Sequence, residues 1–264
     1  MNLSAYIDGV GLLGPGLNGW PDSQIALRDS ASYREQKTVL PAPQILPAAE
    51  RRRAGMIVRL TLATGMEAVS MAGVEASSLP LIFTASGGDG ENCHAICEML
   101  ASHDRQISPT RFHNSVHNAA AGYWSIATGA MTSASVLCAY DACFGAGLLE
   151  ALTQVGVDKT RCLLLACDTP YPEPLHSARP ICDALGIALV LSPERSPASI
   201  AHISLSPTQA LADTLVHPAL EALRKCIPAA RGLPLLDVLA RQRLQRVVLD
   251  YLEPTQLAVE VSLC

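Results

Sequence analysis

Apolar residues along the chain fall into two patterns: short continuous runs, and longer segments with apolar positions three and four residues apart. The short runs predict strands buried on both faces of a sheet. They are residues 3–13, 80–84, 135–139, 162–166 and 187–191. The longer pattern predicts helices over residues 52–72, 92–102, 117–129 and 142–155. Strands that alternate with helices in this way predict a layered α/β fold.

The remaining segments carry weaker patterns. Residues 15–47 contain several prolines and few periodic apolar positions, so we interpret them as a loop with at most one short helix. Toward the C-terminus we expect helices near residues 207–226 and 234–239, then strands near 246–251 and 257–261. No period of about 20 to 50 residues repeats, which argues against a solenoid.

Composition changes this picture in one respect. Charged residues make up only 16% of the 264 residues, and apolar residues make up 49%. A soluble domain usually carries about 25% charged residues, so we expect part of this surface to be covered in an oligomer. The net charge is −5, and the longest basic cluster, Arg51 to Arg53, opens a predicted helix. We interpret that cluster as a solvated helix end, and we expect no nucleic-acid partner.

The sequence also predicts the cellular compartment and the redox state of the cysteines. It lacks a basic and apolar signal segment at the N-terminus and any uninterrupted apolar segment long enough to span a bilayer, so we expect a cytoplasmic protein. Nine irregularly spaced cysteines fit reduced thiols better than a disulfide framework. Cys93, His94 and Cys97 lie within one helical turn and lack a second ligand pair, so packing of a helix is favoured over zinc binding.

The segment that starts at Ser108 carries a distinctive order of residues, and its most specific part is residues 112–129, with the sequence FHNSVHNAAAGYWSIATG. A glycine turn at residues 86–90 precedes it, and a strand and a small-residue helix follow it at fixed distance. This ordered set resembles the β-ketoacyl synthase family, and most of all the short chain-length-factor proteins of aryl polyene biosynthesis. The resemblance covers roughly the first three quarters of the chain.

The resemblance implies a thiolase-like (ketosynthase-like) layered α/β fold with a complete N-terminal half and a strongly reduced C-terminal half. We expect one domain over residues 1–264, in which residues 1–195 form the N-terminal half and residues 196–264 the reduced part. It implies no metal and no other cofactor.

The same alignment bears on catalysis. Without a gap between residues 108 and 151, the family's nucleophilic cysteine falls on Asp141. A Claisen condensation needs a thiolate to hold the acyl chain, and the family uses two histidines to stabilise the enolate and the oxyanion. Those histidines lie in His-Gly-Thr and Gly-His contexts, and this sequence contains neither His-Gly nor Gly-His. We therefore expect no catalytic residue in the chain.

Alternative roles remain open at the level of sequence for the two cysteines, the two histidines and Asp141. Cys138 or Cys143 could replace the missing nucleophile, with His113 or His117 as the base, in a stand-alone β-ketoacyl synthase or acyltransferase. The histidines could instead form local bonds near a helix start or face a partner's channel. Asp141 could cap the N-terminus of the helix that follows it.

The resemblance implies that the protein pairs with a full-length, active ketosynthase as a heterodimer, and meets acyl carrier protein only indirectly. It would set product length in aryl polyene, polyketide or fatty-acid-like biosynthesis. The segment that starts at Phe112 crosses the two-fold interface in such dimers and lines the partner's acyl tunnel. By matching positions, the tunnel and interface candidates are Gly88, Arg111, Phe112, Ser115, Val116 and Asn118.

Overall fold

The computed structural model of the chain describes residues 3–29 and 31–264, and its strands form one mixed sheet. The strands are β1 (Leu3–Gly14), β2 (Leu17–Asn18), β3 (Leu81–Thr84), β4 (Ala134–Leu137), β5 (Cys162–Asp168), β6 (Leu185–Ser192), β7 (Ala201–Thr208), β8 (Gln245–Leu249) and β9 (Gln256–Leu263). The helices are α1 (Trp20–Arg28), α2 (Ala48–Arg51), α3 (Met56–Ala72), α4 (Gly90–Ala101), α5 (Pro109–His113), α6 (Ala119–Thr128), α7 (Cys143–Asp158), α8 (Leu175–Ala178), α9 (Pro218–Cys226) and α10 (Leu233–Arg241).

The strand order across the sheet is β4-β3-β5-β6-β1-β7-β9-β8, and β2 pairs with β1. β3 runs parallel to both β4 and β5, and the other pairs are antiparallel. The C-terminal strands β7, β9 and β8 therefore extend the sheet beyond β1. This arrangement shows how residues 207–264, which the sequence pattern could not place, join the rest of the chain.

Helices cover both faces of the sheet, as the layered α/β prediction requires. One apolar cluster contains side chains of α7, α9 and α10, and a second contains side chains of α3 and α6. On the α3 side the contact is close, because a Cβ on Gly11 of β1 would lie only 2.0 Å from the carbonyl oxygen of Thr64. Among the described residues, no helix combines the length and the apolarity that crossing a membrane requires.

The predicted helix over residues 52–72 begins later than expected, at Met56. Gly55 has extended backbone, and Arg51 is the last residue of α2, so the cluster lies at the end of α2 and not at the start of α3. The Arg51 guanidinium donates to the Leu46 carbonyl at 3.0 Å, while Arg52 and Arg53 are exposed. The helix start was wrong, but the interpretation of these arginines as a solvated helix end agrees with the structure.

Two predicted elements are wrong. Residues 135–139 were expected to form a buried strand, but β4 is an edge strand whose side chains are exposed or half-buried. A helix near 207–226 was expected, but Pro207 belongs to β7 and only Pro218–Cys226 are helical. In the described residues Pro207 pairs with Leu257 of β9 and has no partner on β1, so its missing N–H breaks no bond to β1.

Candidate functional site

The turn between β4 and α7 is sharp and contains Asp141. Tyr140, Asp141 and Ala142 form a single 3₁₀ turn, and Tyr140 has a φ of +53° in the left-handed region. A bulky residue adopts this conformation only when its surroundings hold it there, and such positions cluster at functional sites. The elbow thus presents the Asp141 carboxylate next to the first residue of α7.

Asp141 does not cap α7, contrary to one of the alternatives. The N-cap residue is Ala142, and the helix start has no side-chain cap. The Asp141 carboxylate instead accepts a hydrogen bond from Arg179 Nη2 at 2.7 Å and lies 3.4 Å from Arg231 Nη2. Arg179 also stacks on Tyr140, with its Cζ atom 3.5 Å from the ring centroid. The elbow is therefore held from outside by two guanidinium groups.

These ion pairs continue into the C-terminal part of the chain. Arg231 Nη1 lies 2.9 Å from Asp250 Oδ1, and Asp250 also pairs with Arg224. Arg224 donates twice to Glu221, at 2.8 Å each. The hydrogen bond from Arg224 is the main cause that lowers the pKa of Glu221 to about 2. The network, made of Asp141, Arg179, Arg231, Asp250, Arg224 and Glu221, connects the elbow to α9.

A second carboxylate, Asp168, lies at the end of β5 beneath the glycine turn. It is buried, and it accepts hydrogen bonds at 2.8 Å from the backbone N–H groups of Ser86 and Ala229. Burial raises its pKa, and these hydrogen bonds oppose that effect. Asp168 thus fastens the glycine turn to the C-terminal segment. In the sequence, the acidic residue directly after an otherwise apolar strand is the feature that could have indicated Asp168 as a buried polar contact.

The two thiols near the elbow have ordinary local partners. Cys143 Sγ is buried, accepts from the Ala139 N–H at 3.2 Å and donates to the Tyr140 carbonyl at 3.0 Å. Burial raises the pKa of Cys143 to about 12. Cys138 is exposed and donates to the Ser86 carbonyl at 3.1 Å. Within the described residues, neither thiol is hydrogen-bonded to a histidine, so no activated nucleophile is assembled here.

Comparison with known families decides the fold and the family. The family model described as "Beta-ketoacyl synthase, N-terminal domain" matches residues 25–244. The chain belongs to this family. Its fold is thiolase-like, as the sequence resemblance predicted, and Asp141 stands in the strand–elbow–helix unit of a β-ketoacyl synthase domain. No curated protein matches the chain.

Solved structures share the fold at low identity. The β-ketoacyl synthase domain is similar to a chain of the ketosynthase (ApeO) in complex with its chain length factor (ApeC) from Xenorhabdus doucetiae, at 20% identity, with a TM-score of 0.75, over 97% of this chain and 99% of the other. A chain of the ishigamide ketosynthase/chain length factor matches at 13% identity, with a TM-score of 0.68, over 98% and 99%. The ketosynthase from module 1 of the bacillaene synthase from Bacillus amyloliquefaciens FZB42 matches at 11% identity, with a TM-score of 0.58, over 80% of this chain and 45% of that one.

Five of the tunnel candidates of this β-ketoacyl synthase domain lie in α5 and the residues that follow it, and Gly88 lies in the glycine turn. Phe112 and Val116 are 68% and 51% exposed, and Arg111 and Asn118 are also exposed. Ser115 is half-buried, and its hydroxyl donates to the Phe112 carbonyl at 2.8 Å. The Asn92 side chain donates to the Arg111 carbonyl at 2.7 Å, which fixes α5 on α4.

Gly88 joins this group through a histidine. It has a φ of +64°, and a Cβ placed on it would lie 3.5 Å from His117 Cδ2. The His117 Nε2 atom is buried and has no hydrogen-bond partner among the described residues. His113 is exposed at the end of α5. The structure thus brings Gly88 close to His117, and in the part of the chain that the structure describes neither His113 nor His117 forms the local bond considered for it.

The cysteine pair on α4 has a different environment from the one expected. Cys93 and Cys97 are both exposed, so they do not pack into a core. They line a groove of about 600 Å³ together with Tyr171 and Leu175. Across the described residues, no group of three or more His, Cys, Asp or Glu side chains is placed to hold a metal ion.

Proposed function

We propose that this chain is a non-catalytic β-ketoacyl synthase homologue that pairs with a full-length, active ketosynthase and acts as its chain-length factor. The observation that carries the proposal is the state of the elbow. The position that the family alignment assigns to the nucleophile holds a carboxylate that Arg179 and Arg231 bind. A carboxylate paired with two guanidinium groups is a structural anion, not an acyl carrier.

The surface next to this elbow is suited to a partner of the same fold. β4 forms one edge of the sheet, and the carbonyls of Ser133 and Leu137 point toward β3. Backbone direction alternates along a strand, so the N–H and C=O groups of Ala134 and Val136 point away from the sheet. An exposed edge of this kind is a template for a strand of another chain.

Several apolar side chains in the segment that leads to β4 are exposed. Met131, just before β4, is 95% exposed, and Ile126 of α6 is also exposed. Phe112 and Val116 are exposed in and after α5. Exposed apolar side chains of this size are typical of an interaction surface. The low content of charged residues agrees with the same interpretation.

The comparisons support the proposed partner. Two of the structures with this fold are complexes of a ketosynthase with a chain length factor. We infer the same assembly for this chain, in aryl polyene or polyketide biosynthesis, with acyl carrier protein delivering substrate to the partner. In this assembly Gly88, Arg111, Phe112, Ser115, Val116 and Asn118 line the partner's acyl tunnel or the interface. We also infer that the N-terminal half ends near residue 195.

The test is purification of the chain alone and with a co-expressed cognate ketosynthase, followed by incubation with acyl carrier protein carrying an acyl thioester. Mass spectrometry then reads the acyl adducts on both chains. We expect equal stoichiometry in the complex and acylation of the partner only. An acyl adduct on Cys138 or Cys143 of the lone chain would overturn the proposal and make the chain an acyltransferase. Failure to co-purify would exclude the heterodimer.

A further inference from the structure

Two cysteines outside the proposed site form a close pair. Cys182 lies in the segment before β6, and Cys226 is the last residue of α9. The backbone N–H of Cys182 donates to Cys226 Sγ at 3.0 Å, across 44 residues of chain. Cys226 Sγ in addition lies 3.7 Å from the Pro180 carbonyl oxygen.

The spacing is compatible with a covalent bond between the sulfurs. A Cα atom lies about 1.46 Å from its own backbone nitrogen, so the Cα of Cys182 is within about 4.5 Å of the Cys226 sulfur. Disulfides join residues whose Cα atoms are roughly 4.4–6.8 Å apart. The Cys226 sulfur therefore lies close to the backbone of Cys182, and a rotation of the Cys182 side chain toward it is the movement that a disulfide requires.

We propose that Cys182 and Cys226 form a redox modification site, at which a small-molecule disulfide such as oxidised glutathione converts the two thiols into an intramolecular disulfide. Cys182 is exposed and Cys226 is half-buried, so the reagent can reach the pair. In contrast, Cys162 and Cys167 are buried, and Cys93 and Cys97 lie one turn apart on the rigid helix α4. This inference is independent of the proposed function.

The order of attack follows from the contact between the two residues. The Cys182 N–H donates to Cys226 Sγ at 3.0 Å, and a hydrogen bond becomes stronger when its acceptor carries negative charge, as an attacking sulfur does. Cys226 therefore attacks one sulfur of oxidised glutathione, forms a mixed disulfide and releases one glutathione thiolate. Cys182 then attacks the Cys226 sulfur and releases the second glutathione. The two thiol protons pass to the two glutathione thiolates, so two protein thiols are oxidised while one small disulfide is reduced.

A Cys182–Cys226 disulfide would restrain two of the arginines in the ion-pair network that starts at Asp141. Arg179 precedes Cys182 by three positions, and Arg224 precedes Cys226 by two. A Cys182–Cys226 disulfide therefore fixes the two backbone segments that carry these arginines relative to each other. It also restricts the unfolded chain, which raises the stability of the folded state.

The test is incubation of the full chain with oxidised glutathione at pH 8, followed by alkylation, proteolysis and mass spectrometry. We expect one Cys182–Cys226 cross-linked peptide, no retained glutathione on these two residues and free thiols at Cys93 and Cys97. Dithiothreitol should reverse the cross-link and lower the melting temperature to that of the reduced chain. A cross-link between other cysteines, or none while glutathione remains on Cys182 or Cys226, would overturn the proposal.

Single substitutions distinguish the roles of the Cys182 and Cys226 sulfurs in the reaction. Cys182→Ser should trap glutathione on Cys226 as a stable mixed disulfide, because the substitution removes the thiol that would release it. Cys226→Ser should leave Cys182 largely unmodified. Cys97→Ser is the matched control, and it should cross-link like the original chain. Equal glutathione uptake by both single variants would contradict the assigned order of attack, and a cross-link that persists in either variant would contradict the site.

Discussion

The Asp141 carboxylate accepts a hydrogen bond from the Arg179 guanidinium at 2.7 Å, across 38 residues of chain. This contact fixes the elbow between β4 and α7 against the segment that leads into β6. Because Arg231 approaches the other carboxylate oxygen, the same residue also connects the elbow to the C-terminal part. Asp141 therefore has a structural role in the elbow, at the position to which the sequence resemblance assigns the family's nucleophile.

The first prediction concerns this role. Asp141→Asn removes the charge at nearly constant volume, so both arginines lose an ionic partner. We expect the free energy of unfolding to fall by about 1 kcal/mol, since the carboxylate is partly exposed. Urea unfolding measures this free energy. Asp104→Asn is the control, because Asp104 is exposed, and it should leave the free energy of unfolding unchanged. Equal stability of Asp141→Asn and the original chain would contradict the structural role.

Part of this site could be predicted from sequence. The apolar runs that became β5 and β6 are buried on both faces, so their pattern was unambiguous. The fixed distance from the strand to the small-residue helix placed Asp141 at the elbow. These features depend on residues close together in the chain, which is where periodicity and spacing are informative.

The partners of Asp141 could not be predicted in this way. Arg179 and Arg231 come from separate irregular or 3₁₀ segments, and no local pattern distinguishes them from exposed arginines. β7 was not predicted, although its alternating residues fit a strand, and the helix expected near residues 207–226 overlapped its end. Tertiary contacts decided both cases: ion pairing for the arginines, and pairing with β9 for β7, in which Pro207 lies opposite Leu257.

The second prediction concerns the exposed ring of Phe112 in the complex with the cognate ketosynthase. Phe112→Ala should shift the products to longer chains, because removal of the ring opens space where it would otherwise stop growth. Chromatography with mass spectrometry of the released acyl chains measures the distribution. Leu211→Ala is the control, since Leu211 is 91% exposed but lies in the C-terminal part. An unchanged distribution would leave the chain as a purely stabilising subunit.

A third prediction addresses the open edge of the sheet. Val136→Pro removes an N–H that points away from β3, and the extended residue before it is compatible with proline. The lone chain should keep its stability within about 1 kcal/mol, while co-purification with the ketosynthase should be lost. Val136→Ala, which trims the side chain but keeps the N–H, should still co-purify. Retained assembly of the proline variant would show that the partner binds elsewhere.

The fourth prediction follows from the pKa of Glu221, which Arg224 lowers from 4.5 to about 2. A carboxylate whose pKa is lower in the folded chain stabilises the fold above pH 4.5, and this contribution is lost as the pH falls toward 2. Glu221→Gln should therefore lower the free energy of unfolding by on the order of 1–3 kcal/mol at pH 7, and the difference should shrink toward pH 2.

Chemical denaturation of both chains between pH 2 and pH 7 measures this difference. Glu260→Gln is the control, because Glu260 forms only an exposed ion pair with Arg246. Its stability should follow that of the original chain within about 0.5 kcal/mol at every pH. A pH-independent deficit of Glu221→Gln would mean that packing, and not the charge on Glu221, stabilises α9.

The last prediction tests the contact between β1 and α3. A Cβ on Gly11 would lie 2.0 Å from the Thr64 carbonyl oxygen, which belongs to the helix backbone and cannot move aside alone. Gly11→Ala should therefore cost about 3 kcal/mol or prevent folding. Gly156→Ala in α7 meets no atom within 4 Å and should stabilise the chain by about 0.5–1 kcal/mol. Circular dichroism melts compare the two, and equal melting temperatures would show that β1 and α3 are farther apart than described.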